Sequence, residues 1–172
     1  MCMEKRYYFG GQFNFRYKDY SIENIAKDYR SKILGDYNLW LNTPSGGMVK
    51  INDKNYYVGP FYFTEHKDGE HIVNFESHCV NLATDCFFVL SNASAPGTIT
   101  EIIQASLKWK NIHIFYVKKD IPTEEIDTEY KNDLWYPITF AMNNAKSVEV
   151  YGFDTYDEAV EACVNRFNEM TK

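Results

Sequence analysis

Along this chain, short continuous apolar runs alternate with stretches whose apolar residues recur every three or four positions. Arg6-Tyr7-Tyr8-Phe9 is a strand-like run that stops at Gly10-Gly11, where a backbone can turn tightly or approach a ligand closely. Ile22, Ile25, Ala26, Tyr29, Ile33 and Leu34 give one apolar helical face, with Ser21 as N-cap and Gly35 at the C′ position. Leu39-Trp40-Leu41 predicts a second short strand. Val49–Ile51 and Tyr56–Val58 flank the polar Asn52–Asn55, the pattern of a β-hairpin. Gly59-Pro60 then breaks the chain before Phe61-Tyr62-Phe63. Glu65–Glu70 reads as a surface loop, and Ile72–Ala83 as a helix carrying Val73, Phe75, Cys79, Val80 and Leu82.

Cys86–Leu90 and Ile112–Val117 are continuous apolar runs, as expected of strands buried on both faces of a parallel sheet. Between them lie a loop, Ser91–Gly97, and a helical pattern over Thr98–Leu107. Lys118–Asp133 is charged, with a short helix predicted from Thr123. A further helix follows over Leu134–Asn143, with Pro137 in its first turn. Val148–Tyr151 predicts the last strand. The final helix opens on Thr155-Tyr156-Asp157-Glu158, the spacing of a capping box, and turns Ala159, Val160, Cys163, Val164 and Phe167 inward. Strands alternating with helices predict a single α/β domain over 1–172. Its three layers would surround a mainly parallel, flavodoxin/Rossmann-like sheet of about five strands, with the β-hairpin as an insertion.

Composition narrows the function classes. A chain of 172 residues with 45% apolar residues suits one domain with a real core. A net charge of −6 argues against a nucleic-acid polymer or an anionic membrane as partner, since both select basic surfaces. No apolar run reaches the ~18 residues of a spanning helix, and Met1–Arg6 leads into the first strand without a signal-peptide core. The expected location is cytoplasmic. Cys2, Cys79, Cys86 and Cys163 are scattered, which predicts reduced thiols rather than disulfides or a zinc ribbon. In that setting the Asn92-Ala93-Ser94 sequon carries no meaning. His66, His71 and His78 lie near Glu65, Glu70, Glu76 and Cys79 but lack a metal-ligand spacing, so no metal and no cofactor is expected. The acidic run Glu124–Glu129 reads as a solvated face, and Trp40, Trp109 and Trp135 as core or interface residues.

Ligands of such sheets bind beyond the carboxyl ends of the strands. Two loops fall there, Gly10–Phe13 and Ser91–Thr98. In the second, Pro96-Gly97-Thr98 turns the chain into a helix whose first turn carries Glu101, where free N–H groups favour an ionised carboxylate. Of the 14 Tyr and 12 Phe, Phe87, Phe88, Phe115 and Phe167 read as core. Tyr8, Phe13, Phe61, Tyr62 and Phe63 read as the border of a pocket.

The order Asp85 before an apolar strand, a small-residue loop, Gly97-Thr98-x-x-Glu101-Ile102-x-x-Ala105 and Lys110-x-Ile-x-Ile resembles the nucleoside 2-deoxyribosyltransferase-like family. Tyr8-Phe9-Gly10-Gly11-Gln12-Phe13, Gly59-Pro60-Phe61-Tyr62-Phe63 and Asp133-Leu134-Trp135 are similar to further segments of that family. A Gly-Thr-x-x-Glu start is also similar to one in the cytokinin-activating phosphoribohydrolases, which likewise break N-glycosidic bonds. The resemblance implies cleavage or transfer at an N-glycosidic bond of a (deoxy)ribonucleoside, with Glu101 as nucleophile. It implies Asp85 and Glu76 as further catalytic carboxylates, Glu76 standing one residue from the slot that Ser77 occupies. It also implies a substrate site from Tyr8, Gly10, Gly11, Gln12, Phe13, Phe61, Asn92, Ser94, Gly97 and Thr98, and a homo-oligomer of two or more chains. Two departures stand out: the loop before Gly97 holds no carboxylate, and Ile103 replaces the usual glycine. With Asn92 and Ser94 placed to meet a phosphate, the alternatives are a nucleoside 5′-monophosphate N-glycosidase or a non-catalytic nucleotide-binding sensor.

Overall fold

The computed structural model describes residues 4–12, 22–41, 47–62, 68–91, 95–118 and 134–172. The N-cap expected of Ser21, the helix expected from Thr123, the acidic run 124–129 and the loop around His66 lie outside them. Among the described residues six strands form the sheet: β1 (Lys5–Gly11), β2 (Val49–Lys50), β3 (Asn55–Gly59), β4 (Asp85–Leu90), β5 (Asn111–Val117) and β6 (Ser147–Phe153). Their order is β2-β3-β1-β4-β5-β6, parallel throughout except for the β2–β3 pair. The expected three-layer α/β architecture is therefore present, with one refinement. The hairpin is no appendage, because its second arm, β3, pairs in parallel with β1.

The helices are α1 (Ile22–Lys27), α2 (Tyr29–Leu34), α3 (Gly69–Leu82), α4 (Pro96–Leu107), α5 (Trp135–Asn144) and α6 (Tyr156–Thr171). One helix was expected where α1 and α2 stand. Its apolar period runs on without interruption, but Asp28 intervenes as the N-cap of α2 and accepts from the Arg30 backbone N–H. Gly35 ends α2 in the left-handed conformation at φ 74°, as expected of a C′ glycine. The strand expected at Leu39–Leu41 is instead a 3-10 turn over Tyr37–Trp40, capped by the Asp36 carboxylate; Leu41 keeps a single bridge to Tyr62. The capping box of α6 forms in full between Thr155 and Glu158.

Strand alternation divides the core between two faces. On one face, Tyr7, Phe9, Phe87 and Phe115 pack under α6. Phe167 meets Tyr7 and Phe9 edge-on, with ring centroids 5.0 and 5.3 Å away, and Phe9 stacks on Tyr57 at 5.7 Å. On the other face Tyr8, Cys86 and Phe88 lie under α3 and α4, with Tyr8 and Phe88 in ring contact. Phe87, Phe88, Phe115 and Phe167 are all buried, as their apolar settings predict.

Candidate active site

The carboxyl end of β1 is built without side chains. A Cβ on Gly10 would stand 2.5 Å from the Phe88 ring and 2.8 Å from Glu101 Oε2; one on Gly11, at φ 145°, would stand 2.8 Å from the Val89 carbonyl oxygen. Glu101 therefore lies directly against the Gly10 backbone, an approach any other residue would block. α4 brings it there from further along than expected. The helix begins at Pro96, with Ala95 as its N-cap and no side-chain cap. Glu101 thus sits beyond the first turn, where the helix dipole contributes little. Its setting is decided by its neighbours instead.

Those neighbours are Glu76 from α3 and Tyr8 from β1. The two glutamates are within hydrogen-bonding reach of each other, and both are partly buried. Burial first, and then the Glu76 charge, pushes Glu101 up to about 8, while the Tyr8 hydroxyl and the Arg30 charge pull the other way. Burial also raises Glu76, against its hydrogen bond with Glu101 and the Arg30 charge. Like charges this close cannot both ionise readily, so near neutral pH the pair holds one proton and one negative charge. The Tyr8 hydroxyl is fully buried and closes no hydrogen bond of standard geometry. Burial and the Glu101 charge hold its proton in place far above the ordinary phenol range.

Side chains of α2 hold the strand end from the other side. The Tyr29 hydroxyl donates to the Gly10 carbonyl at 2.5 Å. Arg30 donates from Nε to the Phe9 carbonyl at 2.9 Å and from Nη2 to the Gly11 carbonyl at 2.7 Å. Its Nη1 forks onto both Asp28 oxygens at 3.1 and 2.9 Å. Arg30 and Asp28 are both fully buried. Farther out, Ser91 Oγ donates to Gln12 Oε1 at 3.1 Å, tying the ends of β4 and β1 together.

Of the residues expected at the site, the structure thus gathers Tyr8, Gly10, Gly11, Glu76 and Glu101, with Gln12 at its margin. Gly97 is exposed and Thr98 buried, both in the first turn of α4. Phe13, Asn92 and Ser94 lie outside the described residues. Asp85 is not brought to the site. It begins β4, in register with Tyr7, and shares the α6 face with Phe87 and His113. There it accepts from Thr84 Oγ1 at 2.8 Å and Asn111 Nδ2 at 3.3 Å, and its Oδ1 lies 3.7 Å from His113 Nε2. The sheet thus lies between it and Glu101. Phe61 is also corrected: it is buried, edge-on to Tyr57 and beside Phe75, so it presents no face to a ligand. Tyr62 packs against Trp40.

Arg30 and Tyr29 had no signal in the sequence as site residues, because a basic residue in a helical pattern reads as solvated. Among the described residues no group of His, Cys, Asp and Glu is arranged to hold a metal ion, and no helix is long and apolar enough to cross a membrane. Cys79, Cys86 and Cys163 are free and buried.

No family model matches the chain, and no curated protein matches it. Among solved structures it is similar to the CMP N-glycosidase BcmB of Clostridium botulinum, with 11% identity over 92% of this chain and 97% of that one, at a TM-score of 0.48.

Proposed function

We propose that the protein cleaves or transfers at the N-glycosidic bond of a (deoxy)ribonucleoside, using the Glu101–Glu76 pair. The observation that supports this reading is the meeting of two carboxyl groups over a side-chain-free strand end. Such a reaction needs one charged and one protonated acid. Glu101, freed for attack when the shared proton passes across the hydrogen bond to Glu76, attacks the anomeric carbon as the bond to the base breaks. Glu76, holding the shared proton, delivers it to the departing base. Water or an acceptor base then displaces the sugar from Glu101, and the proton lost by that nucleophile returns to the pair.

The test is incubation with deoxyribonucleosides and their 5′-monophosphates, with and without acceptor bases, followed by detection of free base. Base release is expected, and Glu101→Ala should lower it by about 10³-fold or more. Since the pair loses its proton through about 8, the rate should fall above that pH. Inertness across the panel overturns the enzyme reading, and ligand binding without turnover would favour the sensor. Preference for monophosphates would place the enzyme among nucleotide N-glycosidases.

A further inference from the structure

We propose that Arg30 is a positioning residue for the glutamate pair, a permanent cation that faces Glu101 through the Gly10–Gly11 backbone and fixes the strand end on which Glu101 rests. Pairing of β1 with β3 ends at Tyr8↔Gly59, whereas pairing with β4 continues to Gly11↔Val89. Past that point Arg30 takes the carbonyls of Phe9 and Gly11, two residues apart on the strand.

The glycine pair allows the two charges to come close. Successive residues of a strand direct their side chains to opposite faces. The side-chain position of Gly10 lies 2.8 Å from Glu101 Oε2, and that of Gly11 lies 3.6 Å from Arg30 Nη2. Carboxylate and guanidinium thus flank adjacent residues of one strand, with only glycine backbone between them. The Arg30 charge acts on Tyr8, Glu76 and Glu101 as well as on Tyr29 and Tyr57.

Burying a guanidinium is costly unless its donors are met and its charge compensated. Here Asp28 and two backbone carbonyls meet that requirement. A guanidinium also keeps its proton at any pH the protein will meet. Among the described residues the other ionisable groups facing the glutamate pair are Tyr8 from β1, Tyr57 from β3, Cys79 from α3 and Cys86 from β4. Burial holds each of them neutral.

The consequence for rate rests on the reading of the pair as reactive carboxylates, but the geometry does not. The test is therefore an NMR titration of the full chain, with glutamate carboxyl carbons and arginine Nε observed between pH 5 and 10 and assigned through Glu101→Gln and Glu76→Gln. In the unmodified protein the Arg30 Nε resonance should shift with the same midpoint as the glutamate pair, and that response should vanish in Glu101→Gln. In Arg30→Met the upper midpoint should rise by a full pH unit or more; in Arg30→Lys, which keeps the charge, it should rise by less. An Arg30 signal indifferent to pH overturns the proposal, even if Arg30→Met does not fold. An unmoved midpoint in a folded Arg30→Met also overturns it. If the unmodified protein releases no base, the proposed activity fails while the titration still decides the role of Arg30. If it does, Arg30→Lys should lower kcat about 10-fold or more with KM little changed, and displace the alkaline limb of the pH–rate profile with the NMR midpoint.

Discussion

At the scale of single residues, the site depends as much on two missing side chains as on two carboxyl groups. Gly10 and Gly11 let Glu101 and Arg30 reach the backbone from opposite faces, so adding one methyl group tests the arrangement. In Gly10→Ala the new carbon would fall 2.5 Å from the Phe88 ring and 2.8 Å from Glu101 Oε2. Overpacking of this kind costs about 1–3 kcal/mol, and the cheapest relief is to push Glu101 away. Urea denaturation should show that loss, together with a fall of the Glu101 pKa toward its ordinary value as the pair separates. Unchanged stability would mean that the Glu101 carboxyl does not lie on Gly10. Much of this geometry was legible in the sequence, because a strand ending in Gly-Gly and a Gly-Thr-x-x-Glu helix start each constrain the backbone strongly. Arg30 was not legible, since nothing in its spacing separates a buried helical arginine from a solvated one. The separation of Asp85 from Glu101 was equally hidden, because it follows from strand parity across two chain segments.

At the scale of elements, local chemistry decided which parts of the sequence pattern became the expected structure. The continuous apolar runs became β4 and β5, and the capping box became the start of α6. Each of those signals is contained within a few residues. The first helix failed as a single element because hydrophobic period says nothing about a cap in its middle. Asp28 interrupts it by bonding to the Arg30 N–H at 2.9 Å, a choice stabilised by the buried guanidinium beside it. Tyr37–Trp40 failed as a strand for a similar reason. The Asp36 carboxylate caps it as a 3-10 turn, and Trp40 turns inward to donate to Ser31 Oγ at 2.8 Å. The α6 cap gives the test at this scale. Thr155→Ala removes the side-chain acceptor for the Glu158 N–H, a change of about 1 kcal/mol, or roughly 2–4 °C in Tm for a chain this long. Calorimetry with Thr155→Ser as the control should show the loss in the alanine variant and most of the stability kept in the serine one.

At the scale of the whole molecule, two glutamates set opposite limits on stability with pH. Glu101 holds its proton more tightly folded than unfolded. The stability linked to it is complete below its ordinary value of 4.5 and is lost as pH rises through about 8. Glu149 behaves in reverse. Hydrogen bonds from Arg166 pull it down to about 2, against burial and with help from His113, so its contribution is present above 4.5 and lost as pH falls through about 2. Thermal melts across pH should separate the two. Glu101→Gln should melt higher than the parent at pH 8.5, by about 1–3 kcal/mol of added stability, with the difference closing near pH 4. Glu149→Gln should lower stability by about 1 kcal/mol at pH 7, the rim of the pair being screened by solvent, and its deficit should shrink toward pH 2. Parallel pH curves for parent and Glu101→Gln would sink the assignment of the raised carboxyl.

Glu149 has one further effect, on how chains meet each other. Among the described residues β6 is an outer strand with β5 on one side only, and its seven residues include Val148, Val150 and Phe153. An open strand edge of that length is a template on which another chain can add a strand. In its middle, Glu149 reaches toward α6, bonded to Arg166 at 2.7 Å and to His113 at 2.8 Å. A strand docking there would have to accommodate a fixed charged pair beside its own backbone. The opposite edge offers little more to build on, since β2 is two residues long and carries Lys50. The ion pair that fastens the last helix thus also sets a charge beside the edge strand of the sheet.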